Sequence, residues 1–153
     1  MTLDPQPPVG THIRLLADFT NGRPVFEVLP ALLQAPALFE LVGSPGLVLG
    51  CAAGDVLRVS DDGQFEVVEQ GQNLCIQAAG RGYFTPESLA DIRNAIGKLG
   101  GVAEAPPNLR FVVVTVSRAV GLSAIEQVMD RWAAGVDGVE WWFGNGDQAN
   151  TAR

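Results

Sequence analysis

The run Phe111-Val112-Val113-Val114-Thr115-Val116 constrains this chain more than any other segment. A half-exposed strand alternates apolar and polar side chains, whereas a nearly unbroken β-branched run belongs to a strand covered on both faces. The run is therefore expected in the middle of a sheet, and each face of that sheet needs a cover. Two helical segments flank it. Thr85 is placed to N-cap a helix that Pro86 opens; Leu89, Ile92, Ile96 and Leu99 recur along one face, and Gly100-Gly101 closes it. Ser123 and Glu126 have the spacing of a capping box, with Ile125, Val128, Met129 and Trp132 on one face of a second helix that ends near Gly135. Short β runs at residues 74–76, 102–104 and 139–143 complete the order strand, helix, strand, strand, helix, strand, a ferredoxin-like arrangement.

The first half has a different rhythm. In residues 11–19, Ile13, Leu15, Ala17 and Phe19 alternate with His12, Arg14 and Asp18, the period of a strand with one wet face. Asn21-Gly22 turns the chain, and strands are expected at residues 25–29 and 38–42, with Pro30 and Pro36 breaking the region between them. Residues 56–60 and 65–69 form two more strands joined at Asp61-Asp62-Gly63. The fold expected is α+β: a β-rich first half over residues 11–71, either a small open barrel or a curled sheet, packed on a ferredoxin-like second half over residues 72–144. A Pro-rich leader over residues 1–10 and a polar tail over residues 145–153 flank them.

Composition excludes several classes of function. With 47% hydrophobic and 18% charged residues, the 153-residue chain is too apolar for intrinsic disorder. Ten basic against 17 acidic residues give a net charge of -7. That is the wrong sign for gripping phosphates, so no direct nucleic acid binding is expected, and a basic protein is the partner that suits the charge. The longest apolar stretch, residues 41–53, is interrupted by Gly43, Ser44, Pro45, Gly46 and Gly50 and is shorter than the roughly 20 residues that cross a bilayer. With no basic segment leading into an apolar run at the N-terminus, a cytoplasmic location is expected, and no membrane. Cys51 and Cys75 show no CxxC spacing, which fits reduced thiols better than a disulfide. His12 is the sole imidazole and lies on the polar phase of its strand, no serine sits in a nucleophile elbow, and no metal-ligand spacing occurs. No catalytic residue, metal or cofactor is expected.

Three features remain as candidate sites. Gly80-Arg81-Gly82 lies between a strand and the helix capped by Thr85, in the place of a phosphate-binding loop, but Thr85 stands where the third glycine of GxGxxG belongs. It reads either as a flexible connector or as a ligand site in which Arg81 and the helix N-terminus hold an anion. Asp55, Asp61, Asp62, Glu66 and Glu69 against Arg58 give the hairpin region a net charge of -4, either a solvated surface or a docking face for a basic partner. In Glu140-Trp141-Trp142-Phe143, period two sends Trp141 to one face and Trp142 to the other, so that Trp142 packs against the first half or anchors a partner.

The segment Gly54-Asp55-Val56-Leu57-Arg58-Val59, set between an early strand and a closing acidic-aromatic strand at residues 139–143, resembles an uncharacterised bacterial family known as domain of unknown function 4265. The resemblance covers residues 11–143. It implies no established activity, and therefore no catalytic residues. The function expected is a non-catalytic bacterial protein-binding module, an acidic immunity or antitoxin-like protein that occludes a basic toxin or nuclease domain. The alternative is a small-molecule-binding regulatory or sensor domain using the loop from Gly80 to Thr85.

Overall fold

The computed structural model describes residues 9–145, and within them nine strands and two α-helices form two antiparallel sheets, an α+β architecture. The first sheet is a meander of β1 (Val9–Thr20), β2 (Arg23–Ala35), β3 (Leu38–Leu41), β4 (Val56–Val59) and β5 (Phe65–Glu69), each strand beside the next. Asn21 and Gly22 both take positive φ, 53° and 77°, which lets a two-residue turn pair Thr20 with Arg23 while matching the strand twist. The alternation read in β1 holds through Ala17 and fails at Phe19: Ile13 and Leu15 are buried with Ala17 packed beside them, and across the ladder Leu29 and Ala31 of β2 join the same core, but Phe19 is exposed, beyond a register shift between Leu16 and Asp18.

Pro30 does not break the chain as expected. It lies inside β2 opposite His12, and β2 continues to Ala35. The Pro30 carbonyl accepts from Val42 N–H at 3.0 Å, so its missing N–H faces the same side, just beyond Leu41, the last residue of β3. A proline is tolerated where the neighbouring strand has run out. The sheet stays open but curls, because Leu16 N–H of β1 donates to the Gly63 carbonyl in the β4–β5 turn at 2.9 Å.

The second sheet contains β6 (Asn73–Ala79), β7 (Val102–Glu104), β8 (Phe111–Ser117) and β9 (Glu140–Phe143) in the spatial order β7-β8-β6-β9. Helix α1 (Pro86–Gly97) connects β6 to β7, and α2 (Leu122–Ala134) connects β8 to β9. The valine run sits inside the sheet with its residues from Val112 to Val116 buried on both faces. Thr85 caps α1 as expected: its Oγ1 accepts from Ser88 N–H at 3.0 Å, and its own N–H donates to Ser88 Oγ at 3.1 Å. The second cap differs. Gly121, at φ 95°, is the N-cap of α2, and Ser123 lies within the helix; the preceding serine that does cap, Ser117, accepts from Ala119 N–H in a short 3-10 turn. A chain reversal that needs positive φ selects glycine over a capping side chain.

Alternation divides the second sheet cleanly. Leu74, Ile76, Ala78, Val112, Val114 and Val116 meet Ile92, Ile96, Ile125 and Met129 of the helices in one core. Cys75, Gln77, Val113 and Thr115 face the other way and are covered by the connector between β3 and β4. That connector is itself buried at Ser44, Val48, Cys51, Ala52 and Ala53. Ser44 Oγ accepts from Thr115 Oγ1–H at 2.7 Å and from Ala53 N–H at 2.9 Å. At Gly46 a Cβ would lie 2.0 Å from the Phe111 ring, so only glycine brings the backbone this close. The fold also reaches further at both ends than expected. Val9 and Gly10 already belong to β1, and Asn145 is buried, its Oδ1 accepting from Cys75 N–H at 3.0 Å and its Nδ2 donating to the Asn73 carbonyl at 3.2 Å. The rest of the expected leader and tail lies outside the described residues. No helix among those residues is long and apolar enough to cross a membrane.

Candidate functional site

The acidic hairpin is assembled from β4, β5 and their turn. Phe65 and Val67 pack on the first core, which turns Glu66 outward, and Asp61, Asp62 and Glu69 are exposed as well. Arg58 pairs with Glu66 at 3.2 Å, both largely solvated. Asp62 closes the turn, its Oδ1 accepting from the Ser60 hydroxyl and from Gln64 N–H, and these bonds, the Ser60 hydroxyl foremost, hold its carboxyl below the usual range. Gly63, at φ 86°, brings the turn against Phe26, where a Cβ would fall 2.8 Å from the ring.

Asp55 does not belong to this surface. It is 0% exposed, with Oδ2 accepting from Ala52 N–H at 2.9 Å and Oδ1 from Gly71 N–H at 2.7 Å. Gly54, at φ 95°, folds the chain back so that the next residue closes a turn onto Ala52. The charge of Asp55 is therefore spent inside the protein, on two backbone donors. A second buried-side carboxylate, Glu27, was not singled out by sequence. It accepts from Gly46, Leu47 and Val48 N–H at 2.7, 2.9 and 3.0 Å and so ties β2 to the connector. The signal was present: Glu27 pairs with Leu15, on the core phase of its strand.

The loop after β6 divides between two places. Gly80 and Arg81 line a cleft of 450 Å³ together with Gly138, Glu140 and Trp142. Thr85 lines a different cleft, of 420 Å³, between α1 and α2 and is occupied in capping. The structure therefore does not join Arg81 and the α1 N-terminus in one site, and Gly82 lines neither cleft. Trp142 lies on the face opposite the helices, 38% exposed. Its Nε1–H donates to Gln77 Oε1 at 2.8 Å, and Gln77 Nε2 in turn donates to the Pro45 and Val48 carbonyls, each at 2.9 Å. Trp141 takes the helical face, with its Nε1–H on Asp130 Oδ1 at 3.0 Å. Asp61 and Glu66 of the hairpin line one cleft and Trp142 another.

Cys51 and Cys75 are free and buried, and desolvation is the main cause that pushes both thiols up, Cys75 to about 12. His12 is exposed. Among the described residues no group of three His, Cys, Asp or Glu is placed to hold a metal ion.

Comparison with known proteins places this arrangement. A solved structure described as a novel crystal structure of a hypothetical protein from Neisseria gonorrhoeae is similar at a TM-score of 0.66 and 12% identity, covering 91% of this chain and 96% of that chain. At that identity the likeness is one of fold. No curated protein matches. The family model of a domain of unknown function, DUF4265, matches residues 27–140, a span that takes in the acidic hairpin, both helices and the start of β9. The chain belongs to the DUF4265 family.

Proposed function

We propose that this protein is a non-catalytic protein-binding module of the immunity or antitoxin kind, which occludes a basic toxin or nuclease domain with the β4–β5 hairpin. One observation carries the reading. Asp61, Asp62, Glu66 and Glu69 stand exposed on a hairpin at the edge of the first sheet, where the nearby cation, Arg58, is already paired with Glu66. Such a surface attracts a basic partner over several ångströms and speeds encounter, while affinity comes from the contacts made on docking. Exposed Val68 on the same strand supplies apolar area beside the acids. Asp55 takes no part. The second half reads as ferredoxin-like, supported by its β-α-β-β-α-β order and by the strand order β7-β8-β6-β9. A bacterial cytoplasm is the proposed compartment, supported by the two free cysteines.

The test begins with the tagged protein in lysate of its source cells at low and high salt. One basic protein should be recovered in stoichiometric complex at low salt. Against that purified partner, the variant D61K/E66K/E69K, which leaves the turn-closing Asp62 in place, should associate more slowly by a factor on the order of ten or more at low salt, with dissociation little changed. Equal association rates for the variant and the parent protein would remove the hairpin from the interface.

A further inference from the structure

We infer that the cleft between the β6–α1 turn and the start of β9 binds a small zwitterionic ligand with a flat apolar body, the chemistry of an aromatic α-amino acid. This stands independently of the hairpin reading, since the two regions line separate clefts. Ala79, the last residue of β6, pairs with Glu140, the first of β9, so the cleft lies at one end of the second sheet. Its 450 Å³ falls within the usual range for small-molecule sites, about 300–1,000 Å³.

Three side chains supply the recognition. The Arg81 guanidinium has no hydrogen bond or ion pair among the described residues, and neither has the Glu140 carboxylate. Opposite charges that line one cleft without touching leave room for a molecule that carries both. Arg81 offers a planar donor fork to a carboxylate, and Glu140 offers an acceptor to an ammonium. The Arg81 stem lies over Gly138, where a Cβ would sit 2.7 Å from Arg81 Cγ, so glycine lets the side chain follow the cleft wall.

Trp142 is the third. It lies two residues beyond Glu140 on β9, hence on the same face of the sheet. Its ring is fixed from beneath, because Gln77, directly across the ladder and 2% exposed, accepts the indole N–H and anchors its own amide on two connector carbonyls. An indole held by its N–H and 38% exposed offers a ring area on which an aromatic side chain can stack at little ordering cost. A peptide terminus would satisfy one of the two charged groups, whereas a free amino acid satisfies both.

Calorimetric titration of the full chain with phenylalanine, tyrosine and tryptophan tests this, with N-acetylphenylalanine and phenylalaninamide as probes that each lack one charge. At least one of the three free amino acids should bind and raise the melting temperature. The singly charged probes should bind more weakly by about tenfold or more, and Arg81→Gln and Glu140→Gln, both surface changes, should each weaken binding of the free amino acid by a similar factor. Binding in which neither variant differs from the parent chain overturns the inference. So does the absence of heat and of a melting shift with all three amino acids at millimolar concentration.

Discussion

A carboxylate with no exposed surface survives in a folded protein when donors are aimed at it, and Asp55 has two, from Ala52 and Gly71. Asp55→Ala removes the acceptor and leaves both amides facing a void. The expected loss is about 3 kcal/mol, read as a lower urea midpoint with an unchanged slope. Asp55→Asn, which keeps one acceptor oxygen, should lose less, and neither change should alter the rate of association with a basic partner if the hairpin alone steers it. The contrast with Asp61, a turn residue of the same type left in solvent, shows what was legible in the chain. Alternation correctly turned Glu66 outward and Trp142 away from the helices, because period two is set by the strand itself. It was silent on the partners of Asp55 and Glu27, which lie in segments that meet them only after folding, up to 21 residues away for Glu27 and Val48.

At the scale of elements, each helix is positioned by a different local device. Thr85 and Ser88 satisfy one another's backbone groups at the start of α1, while α2 starts from Gly121 with no side-chain cap. Thr85→Ala should therefore cost about 1 kcal/mol in thermal or urea unfolding, and Ser123→Ala should cost little. Equal losses for the two would show that Ser123 caps in solution. The helices, the valine strand and the Asp61-Asp62-Gly63 hairpin were readable because propensity, period and turn chemistry agree there. The length of β2 was not, since Pro30 is a breaker on local grounds and is accepted only because β3 ends beside it. Nor was the full length of β6, in which Gln77 looks polar but is buried as the middle link of a bond chain from Trp142 to the connector. The pairing of β6 with β9 gathers Arg81, Glu140 and Trp142 into one cleft, a grouping that no spacing along the sequence announces.

The whole molecule is joined through its interior. The connector between β3 and β4 supplies Val48 and Cys51 to the first core and Ala52 to the cluster that holds Cys75 and Val113 of the second sheet. The two sheets should thus unfold at a single midpoint by any probe. The thiols there make that midpoint sensitive to alkali. Below pH 9 both are protonated in the folded and unfolded states. Above it the unfolded chain releases its protons first, near the ordinary 9.0, while Cys75 holds its own to about 12. The unfolded state then binds fewer protons, and stability falls by about 1.4 kcal/mol per pH unit per thiol over that window. Measuring the urea midpoint from about pH 8 to about pH 11, so that the titration crosses the ordinary thiol value, in the parent and in Cys51→Ala/Cys75→Ala should show a shallower decline in the variant. A parallel decline would place the sensitivity elsewhere.

In most two-part proteins the joining segment is a tether that can lengthen or shorten while the parts stay as they were. Here the joining segment is the mortar. Glu27 grips its backbone from one sheet, Thr115 and Gln77 from the other, and Gly46 leaves no room for even a methyl group beside Phe111. Lineages of this fold are accordingly free to drift at exposed positions such as Val28 and Tyr83, but the two sheets and the strip between them must change in step, as one inherited unit.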